Sequence, residues 1–382
     1  MKIAYLKTHN AHLWLLSMSS LLFSASYNIL LPELPVYLIG IGGESYLGFI
    51  ILLFTISALL ARPLSGRLSD SKGGKFTIYI GLFVTLLINL LYPWVTFISG
   101  FLLLRFLHGF STGFAPTGYT FYAKGNFKNR GKAISIQSAF YSAGMAVGPM
   151  FSSWIHTKFG MDYVFYSGAF LGLLAFLMIL PLKEKTTEVV RTNEKSNLWI
   201  DIQIWRQSLV MFWVFLGFGI LLVSSSLRSI SLGFQNNGIF FIFFTLSTIL
   251  IRLIIKNRID VLPLKQLLIY GTILLIISSG LFSIWSHKIA FVLASIVYGA
   301  AMGIFIPSLN LWVLNDNAGA DGKALSTLYI FMELGIGLGS LLIGKLIIGF
   351  QSAFMLVFLV YGIISFALPI FFKTETRKVL LD

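Results

Sequence analysis

Arg62-Pro-Leu-Ser-Gly-Arg-Leu-Ser-Asp-Ser-Lys-Gly-Gly-Lys75 is a short polar loop between two long apolar runs, and it has a degenerate copy 190 positions later, Arg252-Leu-Ile-Ile-Lys-Asn-Arg-Ile-Asp-Val-Leu-Pro-Leu-Lys265. Arg62 lies over Arg252, Asp70 over Asp260 and Lys75 over Lys265. The register persists outward from the loop. Gly81 matches Gly271, and Gly109 and Gly113 match Gly299 and Gly303. After one inserted residue, Gly131-Lys132-Ala133 matches Gly322-Lys323-Ala324, and Gly144 and Gly148 match Gly335 and Gly339. A repeat of half the chain, with its glycines and charges at span ends, indicates two homologous units in parallel orientation. Such pairs can rock against one another around a shared site, which is how alternating access is built.

The solvent of those units follows from composition. Of 382 residues, 57% are hydrophobic and 11% charged, and mean hydropathy is +0.87; a soluble domain carries about 25% charge. Most of the chain is therefore solvated by lipid, which excludes disorder, collagen and a cytosolic catalytic domain. The absence of cysteine excludes disulfides, thiol catalysis and Cys-ligated metal sites. No phosphate-cradling loop is present for direct ATP drive. No Ser/His/Asp set is evident either, since His108 is the one histidine in the interior of an expected span, His12 standing at the very start of the first, and has no acidic neighbour in sequence. The chain reads as no enzyme, with no cofactor and no metal.

Twelve apolar runs are long enough for a bilayer core of about 30 Å: 12–37, 46–65, 76–95, 99–121, 134–155, 162–181, 207–227, 237–255, 265–285, 289–312, 325–347 and 352–372. None has the period-two alternation of a lipid-facing barrel. The first run is too long for a signal-peptide core and reads as a retained helix. The net charge of +14 has a simple cause, because basic residues collect in cytoplasmic loops. On the side holding the N-terminus there are 21 of the 28 Lys and Arg, against four on the other side, and Arg62, Arg105 and Arg252 fall within or at the edge of spans. Both termini are thus expected in the cytoplasm, and nucleic acid is not an expected partner. Domain boundaries follow: an N-terminal bundle 1–182, a cytoplasmic linker 183–206 and a C-terminal bundle 207–382. The alternating Lys183, Glu184 and Lys185 read as a solvated face.

Three stretches resemble motifs of the major facilitator superfamily. Gly66, Asp70, Gly73 and Lys75 match motif A, G-x-x-x-D-(R/K)-x-G-(R/K)-(R/K), with Ser71 and Gly74 in place of basic residues. Arg105, Gly109 and Gly113 resemble motif B of drug-exporting members, with His108 where glutamine is common. Gly144-Met-Ala-Val-Gly148-Pro149 resembles the core of motif C, associated with exporters, with Ser152 and Ser153 replacing its final glycines. The resemblance covers nearly the whole chain. It implies an all-α integral membrane protein of twelve transmembrane helices in two pseudo-symmetric six-helix bundles, with a cavity lined by the first, fourth, seventh and tenth helices. It is most similar to bacterial drug and metabolite efflux members of the cytoplasmic (inner) membrane.

The candidate site residues come from the cost of burying polarity. Arg105, His108, Thr112 and Tyr119 fall near one helical face at 100° per residue. An arginine there must either face water or a partner, or snorkel to the surface. Ser17, Ser20, Ser24, Tyr27 and Asn28 form a second polar stripe. Tyr27, Tyr119, Tyr141 and Trp213 are candidates to line a cavity for apolar or cationic solutes. Glu33 and Glu333 are the intramembrane carboxylates, each costing ~+2.5 to +3.5 kcal/mol at mid-membrane on an insertion scale, and each a proton-coupling candidate; Glu333, closer to mid-membrane, ranks first. Glu33 is alternatively wet at the outer end of its span. The helix-end carboxylate of Asp70 is a conformational latch or, alternatively, a plain exposed acid. Gly66 is read as permitting close helix packing, Gly144 and Gly148 likewise, and Pro149 as bending its helix. The expected function is proton-coupled antiport of a small organic molecule out of the cell by a monomer in the lipid bilayer, with protons as counter-ion. The alternative is proton symport or facilitated uptake of a sugar or organic acid, with Arg105 on a substrate carboxylate.

Overall fold

The computed structural model describes residues 2–127, 130–184, 201–255, 263–284, 287–316, 321–345 and 350–373. They form α1 (Lys2–Asn28), α2 (Leu34–Gly40), α3 (Phe49–Lys72), α4 (Gly74–Leu91), α5 (Ile98–Asn126), α6 (Arg130–Phe159) and α7 (Met161–Ile179). The second half supplies α8 (Trp205–Ser231), α9 (Ile239–Ile255), α10 (Leu264–Ile284), α11 (Lys288–Asp316), α12 (Asp321–Lys345) and α13 (Phe350–Lys373). No strand occurs among the described residues. Among the described residues, six helical segments are long and apolar enough to cross a bilayer by length and composition alone. α1, α5 and α6 fall outside that set because serines, glycines and Arg105 dilute their hydropathy.

Twelve long helices answer the twelve expected spans, and α2 is extra because the first span is broken. The chain leaves α-helix at Asn28, turns through residues 29–33, and resumes at Leu34 with Pro35 in the first turn. Pro32 and Pro35 lack amide donors, and proline restricts the residue before it, so an uninterrupted helix over 12–37 cannot form.

The chain divides into two compact units, residues 1–44 with 53–194, and residues 45–52 with 195–382. Inside each unit the repeat is written in backbone contacts. A Cβ on Gly109 would run into the Phe54 carbonyl, and one on Gly299 into the Phe244 carbonyl, 190 positions on in both partners. These joints fasten α5 to α3 and α11 to α9. A Cβ on Gly148 would lie 2.6 Å from the Ala25 carbonyl, and one on Gly339 would strike the Leu216 carbonyl, joining α6 to α1 and α12 to α8. Lipid offers little hydrophobic drive between helices, so close backbone approach at small residues takes over. Gly66 does not share this role: nothing lies within 4 Å of a Cβ built there, so the reading of it as a packing glycine is corrected. The linker core 185–200 and the loop copy 256–262, with Asp260, lie outside the described residues.

Candidate functional site

The break in the first span places Glu33 where no helical extrapolation would put it. Its side chain is fully buried, which overturns the reading of a carboxylate wet at a vestibule. Glu33 is the N-cap of α2 but makes no capping hydrogen bond with its side chain. It turns instead to α6. The Ser153 hydroxyl donates to Oε1, and His156 Nδ1 lies 2.5 Å from Oε2. Ser153 and His156 are three residues apart and share a helical face. α6 reaches Glu33 because Gly144 and Gly148 hold it against α1 from Leu21 to Ile29. His156 lies one residue past the expected span 134–155, and His156 and Ser153 are the site residues that sequence reasoning missed. The visible signal was the serine pair, Ser152 and Ser153, standing where motif C has glycines.

A second cluster surrounds Phe54 of α3. Arg105 on α5 is buried at 1% exposure, so it does not snorkel. Its guanidinium sits 4.6 Å from the centre of the Phe54 ring, a cation–π distance, and Nη1 reaches the Tyr92 hydroxyl at 3.5 Å. His108 Nδ1 approaches the same hydroxyl at 3.4 Å and its ring meets Phe54 edge-on, while its Nε2 is buried with no hydrogen-bond partner among the described residues. Tyr27 stacks on Phe54 and shares a 2.6 Å hydrogen bond with Tyr141. The expected stripe is thus assembled but turned inward upon itself. Thr112 donates to the Gly109 carbonyl of its own helix, and Asn28 to the Ser24 carbonyl. Tyr119 pairs with Ser19 at 2.6 Å, and Ser19 passes its own proton to the Ala175 carbonyl at 2.7 Å, which makes Tyr119 the donor. Trp213 is exposed at 38%.

The motif A loop is built around a clasp. Gly73 has φ +91° and begins α4 without a capping side chain, leaving the first amides of that helix open. Glu184, just past α7, supplies the acceptors: Gly74 N–H donates to Oε1 at 2.7 Å and Lys75 N–H to Oε2 at 3.0 Å. Lys75 returns the contact, donating from Nζ to the carbonyls of Leu180 at 3.0 Å and Leu182 at 2.5 Å. A carboxylate at a helix N-terminus and an ammonium at a helix C-terminus each meet the favourable pole of the dipole. Tyr122 of α5 completes the knot by donating to the Lys183 carbonyl. The solvated-face reading of Glu184 is corrected accordingly. Asp70 is exposed, with no ion-pair partner among the described residues. On α12, Glu333 is half-buried, on a helix with buried Gly337 and Ser340; the side chain of Ser326 lies outside the described residues. Among the described residues no group of three or more His, Cys, Asp or Glu side chains is placed to hold a metal.

Two repeated bundles of long apolar helices, with charge buried inside the first, are the architecture of a multi-pass membrane protein. The family model of the Major Facilitator Superfamily matches residues 13–320, and the chain belongs to that superfamily. Similar curated proteins include the multi-drug resistance efflux pump PmrA of Streptococcus pneumoniae, 33% identical over 178 residues, which are 44% of this chain and 44% of that protein. The quinolone resistance protein NorA of Staphylococcus aureus is 27% identical over 197 residues, 50% of each chain. The chain thus spans about half the length of the curated relatives it matches. Among solved structures, the nucleoside transporter NupG superposes with TM-score 0.76 at 17% identity, over 94% of this chain and 98% of that one. A D-xylose-proton symporter gives 0.75 at 16%, over 93% and 95%. At such identity the likeness shows the fold alone.

Proposed function

We propose that this chain is a secondary active exporter, moving a small organic drug or metabolite out of the cell in exchange for protons by alternating access. The observation that carries this reading is Glu33, a carboxylate enclosed in the first bundle with a titratable partner. A buried acid in a membrane helix is costly enough to be functional by default. Similarity to proteins named for drug efflux supports the direction of transport. Arg105 supplies the counter-charge inside the same unit. Glu333 is the second proton carrier of this reading, in the other unit. Both termini lie in the cytoplasm on the basic-loop side of a bacterial inner membrane, the working unit is a monomer, and the bundles are divided by the linker 183–206.

Asp70 acts as the latch of one transport state, pairing only there, which suits a carboxylate left exposed at the end of α3. Asp70→Asn is expected to slow turnover and raise cytoplasmic labelling of cysteines introduced into this cysteine-free chain. Unchanged labelling with normal turnover rejects the latch. The deciding test of the whole reading is transport in sealed vesicles under an imposed pH gradient, with a mixed panel of drugs and metabolites. Proton-driven export of a panel member is expected. Gradient-driven uptake of a sugar or organic acid would replace this reading with the symport alternative, in which Arg105 binds a substrate carboxylate.

A further inference from the structure

The geometry points to a proton-exchange relay in which His156 loads and unloads Glu33, with Ser153 holding the carboxylate in place. This rests on the proton-coupled reading above and adds the residue through which the buried acid reaches water. Glu33 has no exposed surface, whereas the His156 side chain is 32% exposed, and the two meet at 2.5 Å. The imidazole therefore extends from the enclosed carboxylate to the surface. By helix order this is the end of the first unit opposite the motif A loop, since α6 runs alongside α1 from Leu21 near Gly144 to Ile29 near Gly148.

The chain directs Glu33 to this partner at the expense of a local one. An N-cap carboxylate ordinarily accepts from the first amides of its own helix. Here Pro35 removes one of those donors and the side chain leaves the rest, going instead to two groups on α6. Ser153, with Ser152, is also where the chain departs from the glycine pattern it otherwise keeps at Gly144 and Gly148, and His156 follows one helical turn on. The other titratable or charged groups on the surrounding elements are engaged elsewhere or lie apart. The Tyr37 hydroxyl on α2 donates to the Val95 carbonyl. Asp162, in the first turn of α7, lies on the Tyr37 side. Lys158 sits over Trp154, and Arg105 sits over Phe54.

The transfer balances with hydronium as the only other reactant. A neutral imidazole with its proton on Nδ1 takes a proton at Nε2 from hydronium, which becomes water. The Nδ1–H bond then breaks as an O–H bond forms on Glu33 Oε2, leaving a neutral ring protonated at Nε2. The reverse sequence releases the proton to the same side. The Ser153 hydroxyl donates to Oε1 throughout, stabilising the anion between transfers.

The test reads protons before it reads transport. The purified full chain, reconstituted in lipid, is titrated with pH while infrared carboxyl bands report Glu33, assigned by difference from Glu33→Gln, and nitrogen-labelled histidine signals report His156. Joint titration of both signals is expected in the native chain. His156→Gln should displace the Glu33 midpoint by about one pH unit or more, and Ser153→Ala should displace it less, with thermal melting confirming that each variant is folded. A Glu33 midpoint unmoved by His156→Gln overturns the relay and leaves a structural tie; so does independent titration of the two groups in the native chain. Proton-driven flux of ethidium in the same liposomes is the second arm. Coupled titration without proton-driven flux of any probe leaves the relay standing and removes the exporter reading, so the two failures are distinguishable.

Discussion

The two bundles share their joints and differ in their charges. α5 meets α3 at Gly109 as α11 meets α9 at Gly299, against carbonyls in the same register. At positions that those joints make equivalent, however, Arg105 corresponds to Ser295, His108 to Tyr298 and Tyr92 to Phe282. Ser295 merely returns its hydroxyl to the Phe291 carbonyl, and Tyr298 bonds Tyr361 at 2.6 Å, which passes its proton to the Val214 carbonyl. The second bundle has filled the same scaffold with groups that satisfy one another as neutral species. Duplicated units keep what the backbone needs at contact points and are free elsewhere, so on the function proposed above the asymmetry is the place to test first.

The largest expected effect is at that asymmetry. Arg105→Lys keeps the charge and loses the planar group lying over Phe54, and transport in vesicles should fall about 100-fold, because lysine does not substitute at stacked sites. Ser295→Ala, at the equivalent position, should leave transport within about twofold, since a hydroxyl bonded to its own helix contributes little net. Equal losses would dissolve the contrast between the bundles.

The shared joints predict symmetry instead. Gly109→Ala and Gly299→Ala each force a methyl group onto a carbonyl and should lower thermal stability comparably, by about 1 to 3 kcal/mol. A wide difference in melting temperature between the two would show that the repeat is preserved in sequence more than in mechanics.

A smaller effect is expected at Glu333, the intramembrane acid of the second bundle. Glu333→Gln should reduce pH-driven transport about tenfold, or ~1.4 kcal/mol, with substrate binding retained in an equilibrium binding assay. No change in proton flux would confine coupling to the first bundle. Smallest is Glu184→Gln, which keeps one acceptor and removes the charge at the α4 N-terminus. The expected loss is ~0.5 to 1 kcal/mol, read as a lowered melting temperature.

The architecture could be read in the sequence because lipid permits few solutions. Twenty apolar residues must be helix, and glycines repeating in register at helix contacts fix the pairing without any long-range information. The site was legible only in part. The burial cost of Arg105 and Glu33 was visible, but their partners were not. His156 is 123 positions from Glu33, and the prolines at 32 and 35 erased the helical phase that would have aimed the carboxylate. Glu184 misled for a similar reason. Between two lysines it reads as surface, and what gives it a task is a pair of open amides at Gly74 and Lys75, 110 and 109 positions earlier. A helix that starts on two glycines has no acceptor of its own, and that deficiency was the available hint.

The Glu184 clasp also bears on how the molecule is made. The amides that Glu184 binds, on Gly74 and Lys75, precede it in the chain, as do the Lys75 contacts to Leu180 and Leu182 and the Tyr122 contact to Lys183 that complete the clasp. During synthesis, when N-terminal regions fold first, residue 184 leaves the ribosome with every group it binds already in place. The first bundle can then be sealed by one of its last residues before α8 has left the ribosome, so that the similar glycine joints of the second half find no loose helices of the first with which to exchange.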